Sequence, residues 1–261
     1  MRTVKRSIYR DSLFSWNEHI AHDMNRLLTV NLGRTRYADA WELQRKVFAA
    51  RLEGRVPDVL LLTEHEPVYT LGKGSDANHL LANDVELKEK RIDLFSIDRG
   101  GDVTFHGPGQ LVGYPIIDLS AHYQDIHRYL RDIEEVLIRT VADFGVAASR
   151  SEGMTGVWVK NDKVAAIGVK VSRWITMHGF ALNVNTDLSH FDRIITCGIF
   201  HKGVTSLRKI LGVELTIDDV ARSVIHNFES VFSVASQPTV LNELLSGEHS
   251  ESASVVDERI S

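Results

Sequence analysis

The sequence predicts an α+β fold of mixed and antiparallel sheets with flanking helices, on three observations. Apolar residues recur at three- and four-residue steps in two long stretches, 37–54 and 126–144, as helices packed on one side require. The run "GVWVKNDKVAAIGVKV", followed by "WITMHGFALNV", reads as a β-hairpin and the next antiparallel strand. Strands and helices also intermix without the regular alternation of a parallel βαβ fold.

Residues 1–28 are polar and weakly patterned, and no element is assigned to them, although Trp16, Leu27 and Leu28 offer apolar contacts. "YADAWELQRKVFAARLEG" is a helix by the spacing of Ala40, Leu43, Val47 and Ala50, stopped by Gly54 and Pro57. "DVLLLTEHEPVYTLG" gives two short strands broken near Pro67, and 76–93 reads as loop and short helix. A glycine-dense turn region then feeds a strand at about Leu111–Leu119. In "DIHRYLRDIEEVLIRTVADFG", Ile126, Leu130, Ile133, Leu137, Val141 and Phe144 form one stripe, with Gly145 as the C-terminal cap. The hairpin is expected to turn at Asn161-Asp162, residues 216–232 are helical, and the Ser/Glu-rich end reads as a flexible tail. The chain thus divides into an N-terminal extension (1–28), a central domain (29–235) and a C-terminal tail (236–261).

Composition narrows the function classes. Hydrophobic residues make up 43% and charged residues 25% of the 261, as in ordinary globular domains. A net charge of −5 argues against general nucleic-acid binding. One cysteine permits no internal disulfide, and no apolar run reaches the ~18–20 residues of a membrane span, so a cytoplasmic protein is expected. Neither H-E-x-x-H nor paired cysteines occur, and no metal site is expected.

That cysteine, Cys197, sits in "IITCGIF". An unpaired cysteine among apolar neighbours reads by itself as a packing residue; the following glycine lets backbone N–H groups approach a substrate oxygen. Lys163 follows the hairpin turn. Strict alternation puts it on one face with Ala165, Ile167, Val169 and Val171, and Lys170 on the other. An ammonium on an apolar inward face would seek an anion, and a thiolate would serve. The stretch "RGGDVTFHGPGQ" holds four glycines in twelve residues, yet it is neither a Walker loop nor a dinucleotide fingerprint. Such glycine density points to a backbone that approaches another group closely.

Three runs, "RGGDVTFHGPGQLVGYPIIDL", "KVAAIGVKVSRWITMHGFALNV" and "IITCGI", resemble in order the lipoyl(octanoyl) transferase family, over roughly residues 29–232. The 34-position separation of Lys163 and Cys197 also agrees with the family's pair. The resemblance implies a fold similar to biotin and lipoate protein ligase catalytic domains. It implies a Cys197/Lys163 dyad that passes an octanoyl group, through a thioester on Cys197, from octanoyl-acyl carrier protein to lipoyl domains of 2-oxoacid dehydrogenases and glycine cleavage proteins, with no cofactor. It places substrate binding on Arg99, Gly100, Gly101, Asp102, Val103, Thr104, Phe105 and His106, on Ala166, Ile167 and Gly168, and on His178, Gly179 and Phe180. Both protein substrates of the family are acidic, so basic residues are expected at the site mouth: Lys160, Lys170, Arg173, Lys202, Arg208 and Lys209 are candidates. The rival readings are an ATP-dependent lipoate or biotin protein ligase on the same fold, a non-catalytic acyl-carrier or lipoyl-domain binding protein, and a Cys/His hydrolase.

Overall fold

The computed structural model describes residues 26–195 and 203–246. Cys197 and Lys202 lie outside the described residues.

The main sheet is mixed. Its strands are β1 (Arg26–Thr35), β2 (Asp58–His65), β6 (Gln110–Ile116), β7 (Ser149–Ser151), β8 (Met154–Val159), β9 (Asp162–Ser172), β10 (Ile175–Asn183), β11 (Gly203–Val204) and β12 (Ala235–Pro238). They are ordered β12-β1-β2-β6-β10-β9-β8-β7, with β11 beside β9. The pairs β1–β12, β1–β2 and β9–β11 are parallel, and the others antiparallel. A small second sheet has the order β4-β3-β5, from β3 (Val68–Leu71), β4 (Asp93–Ser96) and β5 (Thr104–His106).

Alternation along the central strands divides the core. Leu60 and Leu62 of β2 point to one face, beneath helices α3 (Ile126–Asp143) and α5 (Ile217–Phe232). Val59 and Leu61 point to the other, where α1 (Tyr37–Leu52) packs through Ala40, Leu43, Val47 and Ala50. Three shorter helices complete the architecture: α2 (Asp84–Glu89), α4 (Leu207–Leu211) and α6 (Leu241–Ser246). The α+β expectation holds.

The structure corrects several local expectations. β1 and β12 straddle the segment limits drawn at 28/29 and 235/236. In β1 the four consecutive residues Leu27, Leu28, Thr29 and Val30 are all buried, so no alternation marks the strand in sequence. The hairpin turns at Lys160-Asn161 rather than Asn161-Asp162, because Asp162 already pairs with Val159 and Lys160 takes a left-handed φ of 55°. The strand expected to run to Leu119 ends at Ile116. On α3 the buried face runs through Tyr129, Ile133, Val136, Leu137 and Val141, leaving Ile126 exposed.

Candidate active site

A cavity of about 420 Å³ opens on the α1 side of the main sheet, between β6, β8, β9 and β10 and the loop after Ile97. Glycines in and beside its walls let backbones close in. Arg99 is buried, and its guanidinium donates to the carbonyl and hydroxyl of Thr70, each at 2.9 Å, and to the Gly100 carbonyl at 3.0 Å. A side chain at Gly72 would collide with the Gly101 carbonyl, and a Cβ at Gly168 would stand 2.9 Å from the Gly100 carbonyl and 3.0 Å from Arg99 Cδ. The Gly100 N–H donates to Val169 O at 2.9 Å, so the loop is fastened to β9 on one side and to β3 on the other. Gly101 (φ 89°) and Gly109 (φ 79°) hold conformations closed to most side chains, which accounts for the glycine density of this stretch.

Lys163 lines this cavity by a route that strict alternation misses. The β8–β9 register shifts between Val157↔Ala165 and Trp158↔Lys163, so Val164 is an extra residue in β9. Val164 and Ala165 both enter the core under α3 and α5, while Lys163, Ala166 and Gly168 line the cavity. The Lys163 ammonium stands 4.8 Å from the centre of the Trp158 ring, a cation–π contact. Val204 pairs with Lys163, and Thr205 N–H donates to the Lys163 carbonyl at 3.0 Å. Before residue 196, Ile195 N–H donates to the His79 carbonyl at 2.8 Å. Phe191 and Gly203, on either side of the segment that contains Cys197, both line the cavity.

Two neutral imidazoles stand here, His106 in the cavity wall and His65 behind it. His106 Nδ1 lies 2.8 Å from Gln110 Oε1, and Gln110 Nε2 donates to Asn183 Oδ1 at 2.9 Å. Burial first, and the neighbouring His65 and Arg99 second, lower the His106 pKa to about 3. His65 Nε2 lies 2.6 Å from the Tyr114 hydroxyl, and burial lowers its pKa to about 4.

His178 is buried in β10 with a left-handed φ of 60°. Its N–H donates to Gln44 Oε1 at 3.1 Å, and its Nε2 lies 2.8 Å from Asp98 Oδ1. Burial lowers the His178 pKa against the pull of Asp98. Asp98 also receives Lys170 Nζ at 2.5 Å; burial works to raise its pKa, but the hydrogen bonds from Lys170 and His178 prevail and hold it at about 2.

Of the substrate-binding residues expected from sequence, Arg99, Gly101, Asp102, Val103, Thr104, His106, Ala166, Ile167, Gly168, His178, Gly179 and Phe180 line this one cavity. Gly100 and Phe105 do not. Gly100 acts through its bond to β9, and Phe105 is buried against Tyr69 and stacks on His190 at 4.2 Å. Sequence reasoning did not single out Tyr37, Gln110, Tyr114, Trp158 or Asn183, which also line it. Gln110 and Tyr114 sit inside the quoted glycine-rich run, but only the three-dimensional pairing brings them to the site. Among the expected basic residues, Lys170 is committed to Asp98 and Arg208 to Glu214. Among the described residues no cluster of three or more His, Cys, Asp or Glu side chains is placed to hold a metal ion.

Residues 36–229 match the family model of the lipoyl protein ligase A/B catalytic domain. An octanoyltransferase of Rubrobacter xylanophilus is 55% identical over 201 residues, covering 76% of this chain and 90% of that protein. One from Gloeobacter violaceus is 48% identical over 223 residues, covering 85% and 97%. Solved structures of similar fold include a lipoate-protein ligase A bound with ATP (TM-score 0.67, 16% identity, 85% of this chain and 91% of that one). A bipartite lipoate protein ligase from Thermoplasma acidophilum aligns with a TM-score of 0.68 at 18% identity, over 85% of this chain and 89% of that one. At those identities the ligases establish the shared fold, whereas the near-full-length octanoyltransferases establish the kinship. The chain belongs to the octanoyltransferase family, acyltransferases that carry the lipoyl protein ligase A/B catalytic domain.

Proposed function

We propose that this protein moves an octanoyl group from octanoyl-acyl carrier protein to the lysine of a lipoyl domain, through a thioester on Cys197, in the cytoplasm. The observation that carries this reading is Lys163, an ammonium held in a cavity with Trp158, Ala166 and Gly168 around it. A cavity of about 420 Å³ is of small-ligand size, and burying an acyl chain there is favourable by ~0.8 kcal/mol per methylene.

A thiol of ordinary pKa ~8.5 is only a few per cent ionised at pH 7, and a lysinium beside it favours the thiolate. In the first half-reaction the Cys197 thiolate attacks the donor carbonyl, a new C–S bond forms, and the donor C–S bond breaks. The departing carrier thiolate takes a proton from Lys163. In the second, a neutral lysine amine attacks the Cys197 thioester, the C–N bond forms and the C–S bond breaks. Lys163 accepts the surplus amine proton, which restores ammonium and thiolate together. The donor thioester is already activated, so no nucleotide enters the balance.

Intact-mass analysis tests the reading. Octanoyl-carrier in nucleotide-free buffer with EDTA should add one octanoyl group to the protein, and a lipoyl domain should then remove it and gain the same mass. No adduct on the wild-type protein, or transfer that strictly requires ATP and magnesium, would move the assignment to a carrier-binding protein or to a ligase.

A further inference from the structure

A carboxylate from the opposite layer reaches the strand that faces Lys163. Glu134 lies on the buried face of α3, between Ile133 and Val136, and its side chain is fully buried. A charge there is costly unless paired. Oε2 receives Arg131 Nη1 at 2.6 Å and Arg150 Nε at 3.1 Å. Oε1 crosses to the main sheet and accepts the Gly156 N–H at 3.0 Å.

Gly156 is the third residue of β8. Its φ is 130°, and the register shift opposite Val164 follows directly after it. A Cβ at this position would stand 2.8 Å from the Ala165 carbonyl, 3.3 Å from Lys163 Cε and 3.5 Å from Lys163 Cδ. The aliphatic stem of Lys163 therefore lies directly over the Gly156 backbone, and Trp158, two residues on, takes the ammonium over its ring.

We infer that Glu134 is a positioning residue for Lys163: its hydrogen bond to the Gly156 N–H holds the Gly156 backbone, the floor on which the lysine stem rests. The inference builds on the proposed partnership of Lys163 with Cys197. Arg131 and Arg150 neutralise the buried carboxylate, so that Oε1 is left to hold the strand.

The test compares wild type, Glu134→Ala, Lys163→Ala and the double variant in two readouts. These are the pH dependence of iodoacetamide alkylation at the single cysteine, and the rate of octanoyl-adduct formation by mass spectrometry. Glu134→Ala should move the alkylation profile to higher pH and slow acylation about tenfold at pH 7, as a displaced catalytic group does. Combined with Lys163→Ala it should add nothing further. Asn227→Ala, which removes the 2.9 Å bond between α5 and Asp143 at the far end of α3, should lower the urea midpoint without moving the profile.

A wild-type profile and rate in folded Glu134→Ala, or the same added loss on top of Lys163→Ala, would overturn the inference while leaving the dyad intact. A wild-type profile in Lys163→Ala would remove the dyad, and the inference with it. Should Glu134→Ala not fold, Glu134→Asp decides, since the shorter side chain keeps the charge beside Arg131 and Arg150 but draws its oxygen back from the Gly156 N–H: a shifted profile supports the inference and an unchanged one overturns it.

Discussion

Lys163 shows how a side chain can enter a cavity in company that strict alternation does not give it. Its spacing from Cys197 is visible in sequence, but the face it occupies depends on a bulge within the apolar run "KVAAIGV", where every register looks alike. Under the proposed mechanism, Cys197→Ala should form no octanoyl adduct by intact mass, since the chain has no second cysteine. Lys163→Ala should raise the apparent thiol pKa in an iodoacetamide pH series. Lys163→Arg should preserve part of the depression, because it keeps the charge, yet fail in amide formation, because a guanidinium does not release a proton near neutral pH. The buried Glu134 was not legible, since it and Glu135 look alike in "DIEEVL" and only the packing separates them.

At the scale of elements, the loop 99–103 and strands β3 and β9 form one clasp closed by glycines. Its density of glycine was readable in sequence; its packing against Gly72 and Gly168 was not, because they come from elsewhere in the chain. A valine at Gly168 would meet the Gly100 carbonyl and the Arg99 stem, both part of the loop lining the cavity. Gly168→Val should therefore lower the acylation rate by about 10²-fold, the scale of an ångström-level displacement, while the thermal midpoint falls only modestly. Unchanged acylation, measured beside differential scanning fluorimetry, would show the clasp to be a turn without bearing on the reaction. Helices α1, α3 and α5 were legible because each buries one stripe against a sheet face, whereas β1, covered on both faces, offered no period to read.

For the molecule as a whole, His65 and His106 link stability to pH. Both have folded-state pKa values, about 4 and about 3, below the ordinary 6.5. A depressed value means that the unfolded chain binds protons first as pH falls. The contribution is therefore fully present above about pH 6.5 and is lost progressively as pH drops toward the folded values. At pH 5 the loss is about 2 kcal/mol for each histidine relative to pH 7. The urea midpoint should fall between pH 7 and pH 5, and the fall should shrink in His65→Asn.

The end of the described chain closes the sheet beside its beginning: β12 lies parallel to β1, and Leu244 of α6 is buried with the side chains of α1. Residues Arg26–Thr29 of β1 are thereby shielded by residues some two hundred positions away, and only after the other strands of the sheet have been synthesised. A chain cut after Val234 would leave β1 with an open row of backbone donors and acceptors, flanked by the apolar Leu27, Leu28 and Val30. Such an edge recruits other strands. The truncated protein should self-associate, visible as a rise in light-scattering mass with concentration, under conditions where the intact chain gives a constant value.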